Sequence, residues 1–200
     1  MARFRMMVTI LVLGLSFGTA AWADEPESRA AGAVRTFIED CVASRSQPGG
    51  SDAKKNAATM ALLRRSLDIP AISQVLLGRW WGKMSPAQQD RFLSLFDGYV
   101  VATFDFEDIT TSIATLGTDR EGESLVVHTR KTDPNGEITL LDWVVKDGTP
   151  PRIIDLMVDG QSMAKTSSSD FTAVLRGNGG DIDAFLAKLA DKVRALGIAP

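Results

Sequence analysis

The chain has 200 residues, of which 44% are hydrophobic, and 22 basic against 25 acidic side chains give a formal net charge of −3. This length accommodates one domain with a substantial core, and the acidic balance argues against nucleic-acid binding or lasting adhesion to anionic membranes. Cys41 is the only cysteine, which excludes an intramolecular disulfide, and we expect its thiol to be buried, with pairing between two chains as the alternative.

The first 23 residues have the features of a cleaved secretory signal peptide. Arg3 and Arg5 form a basic n-region, residues 6–17 are apolar but short for a transmembrane span, and Ala21-Trp22-Ala23 matches a small-x-small cleavage site. We therefore expect an exported protein with one mature domain, residues 24–200, and no stable membrane insertion. A retained N-terminal anchor is the alternative.

Apolar residues recur at intervals of three and four from about residue 34 to residue 106, which is typical of amphipathic helices. The pattern predicts helices around residues 34–42 and 60–67 and a short third helix from about Asp68. The strongest helix start follows Trp80 and Trp81, where residues 85–88, Ser-Pro-Ala-Gln, form a capping box with proline at the first helical position. That helix carries an apolar stripe formed by Phe92, Phe96, Tyr99, Val100 and Thr103.

From about residue 110 to residue 159 the apolar period changes to two, which is typical of strands. Residues 133–136, Asp-Pro-Asn-Gly, predict a hairpin turn, and residues 148–151 predict a second turn. The alternate polar positions predict one solvated face, and hence an antiparallel sheet of about four strands. The apolar residues that we expect to share a face within the last two strands are Leu141, Trp143 and Val145 in one, and Ile154, Leu156 and Val158 in the other.

Two further helices are predicted after the sheet. The first lies around Phe171 and Leu175, and the second runs from Ile182 to about Leu196, with Gly197 as its C-cap. Helices, strands and helices in separate runs predict an α+β domain.

The residue types that carry out catalysis are few in this sequence. His128 is the only histidine, and neither it nor Cys41 lies in a nucleophile motif. Ser162 follows Gly160 but lacks the second glycine of a nucleophile elbow, and we expect the acidic residues at positions 105–108 to be solvated. One histidine and one cysteine cannot form a zinc site, and no nucleotide-binding glycine pattern is present. We therefore expect neither enzymatic activity nor a metal or cofactor.

Two basic pairs lie on predicted helices, Lys54-Lys55 and Arg64-Arg65. We interpret them as solvated faces, and the alternative is a docking surface for an acidic partner or for lipid head groups. The remaining apolar faces fit either a filled core or the wall of a ligand cavity, which periodicity alone does not distinguish.

Two stretches of the sequence are more specific. One is residues 75–96, which hold the tryptophan pair and the capping box, and the other is residues 153–162, Ile-Ile-Asp-Leu-Met-Val-Asp-Gly-Gln-Ser. Together with the order of the other elements, over roughly residues 30–197, they resemble the MlaC family, also called toluene-tolerance or phospholipid-binding proteins.

The resemblance implies a small, strongly bent antiparallel sheet wrapped by helices on one side, with a lipid-sized apolar pocket between sheet and helices. It implies a soluble periplasmic carrier that passes phospholipid between an inner-membrane ABC transporter complex and an outer-membrane lipoprotein complex of the Mla type, maintaining outer-membrane lipid asymmetry. Gly82 and residues 102–106 depart from the commoner pattern, so the hopanoid-associated HpnM branch, with a hopanoid-type cargo, is an alternative. An envelope interaction module and a lipid hydrolase are the others.

Such a carrier needs a long dry pocket with few polar contacts, because each CH₂ group exposed to water costs about 0.8 kcal/mol. The pocket-lining residues that we predict are Leu76, Phe96, Val100, Phe104, Trp143, Leu156, Val158, Met163, Phe171 and Leu175. We expect a charge at Val158 or Leu175 to abolish co-purification of lipid. Trp80 and Trp81 are expected to brace the helices rather than to contact the lipid.

Overall fold

The computed structural model describes residues 25–45, 52–103 and 112–198. The predicted signal peptide, Phe104 and the acidic positions 105–108 lie outside the described residues. Within the described ranges, no helix is both long enough and apolar enough to cross a bilayer.

The helices follow the predicted order. Cys41 is fully buried in the first of them, as expected. Among the described residues the α-helices are α1 (Pro26–Arg45), α2 (Asp52–Ser66), α3 (Ile69–Leu77), α4 (Pro86–Thr103), α5 (Met163–Gly177) and α6 (Ile182–Ala195), and a 3₁₀ helix (Gly78–Lys83) connects α3 to α4.

Side-chain caps fix where these helices begin. The capping box of α4 is confirmed, because the Gln88 amide N–H donates to Ser85 Oγ (3.3 Å) and the Ser85 amide N–H donates to Gln88 Oε1 (2.9 Å). Asp68 caps α3 by accepting from the Ala71 amide at 3.1 Å. Each cap satisfies a backbone donor that the first helical turn leaves free.

One antiparallel sheet contains the predicted strands in sequential order, with a two-residue fifth strand at its edge. The strands are β1 (Ser112–Glu121), β2 (Ser124–Thr132), β3 (Ile138–Lys146), β4 (Arg152–Val158) and β5 (Gln161–Ser162). Its inner face carries buried residues such as Val127 and Trp143, and its outer face carries His128, Asp142 and the exposed Leu140. The helices therefore cover one side of an open sheet, as expected for an α+β domain.

A bulge in β4 changes which residues face the core. Trp143 pairs with Leu156, but Val145 pairs with Ile153, so Ile154 is an extra residue in the ladder. Ile153 is consequently buried, at 3% exposure, and the prediction that Ile154 shares a face with Leu156 is wrong. The pure period of two fails here because one inserted residue reverses the alternation.

Aromatic rings join the helices above the sheet. Phe92 of α4 is fully buried and contacts the rings of Trp81, Phe96, Phe171 and Phe185, with centroid distances from 5.5 to 6.2 Å. This cluster ties α4 to the 3₁₀ helix, to α5 and to α6, and so positions α4 and α5 beside the sheet.

Candidate functional site

An apolar cavity of about 320 Å³ lies between the sheet and five of the helices. Its volume falls at the small end of the range of ligand cavities, about 300–1,000 Å³. Two of its lining residues are exposed, Thr103 at the end of α4 and Met163 at the start of α5. The lining residues are Phe37, Leu63, Leu67, Ile72, Leu76, Phe96, Tyr99, Val100, Thr103, Trp143, Ile153, Asp155, Leu156, Met163, Ala164, Ser167 and Phe171.

The structure brings seven of the ten predicted lining residues to this wall. They come from α3, α4, β3, β4 and α5, and their contact with a lipid stays a prediction. These residues are Leu76, Phe96, Val100, Trp143, Leu156, Met163 and Phe171.

Val158 and Leu175 are not among the residues that line this cavity, and their predicted contact with a lipid stays a prediction. Leu175 lies one turn after Phe171 on α5, is 1% exposed, and its carbonyl accepts from the Gly180 amide in the turn before α6. Val158 lies opposite Leu141, two residues beyond Leu156 and therefore about 6.5 Å further along the strand. A charge at either position would disturb packing and would not test this cavity.

The sequence prediction missed the contribution of the first two helices. Phe37 of α1 and Leu63 of α2 both reach the cavity wall, as does Leu67 just after α2. Their helical periodicity indicated a buried stripe, but a stripe that lines a void and one that fills a core have the same spacing. Only the packing of α1 and α2 against the sheet distinguishes the two.

Asp155 is the charged residue of the cavity wall among the described residues. One of its carboxylate oxygens accepts from the amides of Leu156 (2.9 Å) and Ala164 (3.1 Å), and the other accepts from the hydroxyl of Ser162. The carboxylate therefore lies at the N-terminus of α5, where the helix dipole favours a negative charge. Its hydrogen bonds join β4 to α5 and fix the position of α5 beside the cavity.

The remaining polar groups of the wall are hydroxyls. Tyr99, Thr103 and Ser167 lie on α4 and α5, and the Tyr99 ring packs edge-on against Phe171 with a centroid distance of 5.4 Å. Thr103 Oγ1 donates to the Tyr99 carbonyl at 2.7 Å. The hydroxyls thus lie on the side of the cavity that α4 and α5 form.

Trp143 presents an apolar surface because its polar atom is satisfied within the sheet. Its Nε1 donates to Thr129 Oγ1 at 3.0 Å, and that hydroxyl donates to the Leu141 carbonyl at 2.9 Å. The indole packs edge-on against Phe37, with a centroid distance of 5.7 Å. The inner wall can therefore bind an apolar group by excluding water, without directional bonds.

The candidate catalytic residues lie elsewhere. His128 is on the outer face of the sheet, where Nδ1 lies 2.8 Å from Asp142 and Nε2 lies 3.3 Å from Asp119. The hydrogen bond to Asp142, assisted by Asp119, raises the pKa of His128. Cys41 belongs to the core on the opposite side, so the two do not form a dyad. In the part of the chain that the structure describes, no group of three or more acidic, histidine or cysteine side chains could hold a metal ion.

Neither tryptophan of the conspicuous pair lines the cavity. Trp80 packs against Gly180 in the turn between α5 and α6, and the Lys83 ammonium lies 4.6 Å from its ring centroid. Trp81 packs edge-on against Phe92, with a centroid distance of 6.2 Å. Both side chains connect the 3₁₀ helix to the helices that hold the cavity.

A family model described as MlaC protein matches residues 32–191. The chain belongs to the MlaC family. Among solved structures, this family member is similar to the phospholipid-binding protein from Ralstonia solanacearum in complex with a phospholipid, with a TM-score of 0.72 and 20% identity. The alignment covers 84% of this chain and 99% of that chain, and it shows a common fold. A search of curated proteins gives no match.

Proposed function

We propose that this MlaC-family protein is a periplasmic lipid carrier, whose cargo is a phospholipid held by its acyl chains in the apolar cavity. The observation that carries this proposal is the cavity itself, walled by residues such as Val100, Trp143 and Leu156 between sheet and helices. Burying an acyl chain of sixteen carbons contributes on the order of 10 kcal/mol to binding. The cavity therefore needs no polar contact to retain the chain. The phospholipid bound by the Ralstonia protein of the same fold supports this cargo.

The family also supports a role in transfer. We expect the loaded protein to receive or deliver lipid at an inner-membrane ABC transporter complex and an outer-membrane lipoprotein complex of the Mla type, and so to maintain outer-membrane lipid asymmetry. The N-terminal segment, with its small-x-small site before Asp24, supports export of the mature domain. Neither His128 nor Cys41 lies in the cavity wall, which favours a binding carrier over an enzyme.

A matched pair of substitutions tests the cargo site. Val100→Asp places a carboxylate on the cavity wall, whereas Val75→Asp places one on α3 at a side chain that is 46% exposed and outside the wall. Burial of an unpaired charge costs several kcal/mol, so we expect lipid retention to fall about tenfold or more in Val100→Asp only. The measurement is mass spectrometry of lipid extracted from the purified proteins, with circular dichroism to show that both are folded.

The outcomes separate the competing functions. Stoichiometric phospholipid in the unaltered protein, lost in folded Val100→Asp, supports the proposal. A stoichiometric hopanoid would instead favour the hopanoid-associated branch, and a rigid protein without lipid would favour an interaction module. Full lipid content in folded Val100→Asp would show that this cavity does not hold the cargo.

A further inference from the structure

A second cavity, of about 220 Å³, lies between α2, α3 and α4. Three charged residues, Arg64, Asp97 and Arg152, contribute to its wall together with apolar side chains that include Leu67 and Leu93. It is smaller than a lipid cavity, and Leu67 also lines the larger cavity, so the two are neighbours that share a wall residue.

Arg64 is oriented by a buried carboxylate. Its Nε lies 2.5 Å from Asp97 Oδ2, and the Asp97 side chain is only 6% exposed whereas that of Arg64 is 60% exposed. No described residue accepts a hydrogen bond from the two terminal nitrogens of Arg64. The Nε side of the Arg64 guanidinium therefore bonds a buried carboxylate, and its two terminal nitrogens keep N–H groups that can donate to a ligand.

Arg152 is held beside Arg64 through the main chain. Its Nη2 donates to the carbonyls of Arg64 (2.5 Å) and Leu67 (2.9 Å), which lie at the C-terminal end of α2. Its remaining nitrogens have no acceptor among the described residues. The guanidinium groups of Arg64, from α2, and Arg152, from β4, thus line one small cavity. Both have N–H groups without an acceptor among the described residues.

The charge balance of this cavity favours an anion. Arg64 and Arg152 face the carboxylate of Asp97, whose second oxygen is buried and accepts no hydrogen bond from the described residues. Asp68, at the start of α3, interacts electrostatically with Arg152 and also pairs with Lys146 at 3.2 Å, so the surroundings of the cavity hold three cations and two carboxylates. Apolar walls beside the guanidinium groups lower the local dielectric and strengthen their attraction for an anion.

We propose that the second cavity binds a phosphate group, with Arg64 and Arg152 as its donors and Asp97 as the positioning residue of Arg64. Guanidinium forks match phosphate oxygens in bidentate geometry, and the volume suits a phosphate ester rather than an acyl chain. The phosphate belongs to a lipid head group or to a free ester. The head-group source rests on the proposed lipid carrier, because the acyl chains would then occupy the larger cavity beyond Leu67.

The test uses the full-length protein after removal of bound lipid. Binding of glycerol 3-phosphate and inorganic phosphate is followed by calorimetry at low salt, and binding of short-chain phosphatidic acid is compared with that of diacylglycerol of the same chain length. Arg64→Gln combined with Asp97→Asn removes the cation without leaving an unpaired buried charge. Arg65→Gln is the control, because Arg65 is the next residue on α2, bonds Asp40 at 2.6 Å, and does not line the cavity.

We expect the double variant to bind phosphate-bearing ligands about tenfold more weakly or worse, since it loses charge-assisted hydrogen bonds, while Arg65→Gln binds normally. Arg152→Lys, which keeps the charge but loses the fork, should fall between them if it folds. These variants should bind diacylglycerol as the unaltered protein does.

A loss confined to phosphatidic acid assigns the site to a head group, and a loss confined to glycerol 3-phosphate or phosphate assigns it to a free ester. Absence of phosphate-dependent binding in the unaltered protein, or an equal loss in Arg65→Gln, would overturn the inference. Failure of the carrier function is a separate result, because diacylglycerol would then not bind to the unaltered protein.

Discussion

The contact between Trp80 and Gly180 allows a stability prediction with an internal control. Gly180 lies in the turn between α5 and α6 with φ of 83°, and a Cβ at this position would lie 2.8 Å from Trp80 Cη2 and 2.9 Å from Cζ3. Gly179, with φ of 66°, would have nothing within 4 Å of such a Cβ. Alanine at either position has the wrong backbone preference, but only Gly180→Ala also collides with the indole ring.

The expected losses of stability follow from the unfavourable backbone conformation and from the collision with the Trp80 ring. An L-residue in the left-handed region costs about 1–2 kcal/mol, which is the whole effect that we expect for Gly179→Ala. Overpacking typically adds about 1–3 kcal/mol, so Gly180→Ala should lose about 2–5 kcal/mol of the free energy of unfolding. For a domain of this size, each kcal/mol lost from the free energy of unfolding lowers the melting temperature by about 2–4 °C.

Urea denaturation followed by circular dichroism measures both losses. Circular dichroism is preferred to fluorescence, because Gly180→Ala changes the surroundings of Trp80 and would therefore change the fluorescence signal itself. Trp80→Leu combined with Gly180→Ala provides the rescue, because removing the ring should reduce the effect of the alanine to that of Gly179→Ala. Equal losses for Gly179→Ala and Gly180→Ala would refute the reasoning, as would the absence of any rescue in the combined variant.

Three further predictions concern the core, the outer sheet face and the cavity wall. Phe92→Ala should lower the free energy of unfolding by about 3–5 kcal/mol in urea denaturation, because a fully buried ring with four aromatic neighbours is removed. The raised pKa of His128 means that its stabilising contribution is complete below pH about 6.5 and is lost as the pH rises through the native pKa. His128→Gln should therefore flatten the dependence of stability on pH in that window, and an unchanged dependence would argue against the Asp142 contact. Asp155→Asn should cost about 1–3 kcal/mol and speed amide hydrogen exchange at the start of α5, whereas unchanged exchange there would contradict its role in joining β4 to α5.

Local chemistry made parts of this fold predictable. The capping box at residues 85–88 and the turn at residues 133–136 depend on neighbours in sequence, and both occur where expected, the latter as the connection between β2 and β3. The bulge at Ile154 was not predictable, because an inserted residue depends on how two strands pair and leaves no local mark in a run of apolar residues.

The candidate site depended more on tertiary packing. Phe171 and Leu175 lie one turn apart on the same helix, yet only Phe171 reaches the cavity, whereas Leu175 belongs to the filled core. Arg64 and Arg65 were interpreted together as a solvated pair, and both side chains are more than half exposed. What the pair could not reveal is the partner of Arg64, Asp97, which lies 33 positions away on another helix.

The internal bonding of Trp143 has a consequence for how a carrier would load and unload. Because its N–H is used by Thr129, the inner wall has no directional bond that would hold a chain at one register. An acyl chain in this cavity can slide by single methylene steps, and each step changes the free energy of binding by only about 0.8 kcal/mol. Transfer would then proceed as a gradual withdrawal over many small barriers, and chains of neighbouring lengths would be carried with smoothly graded affinity.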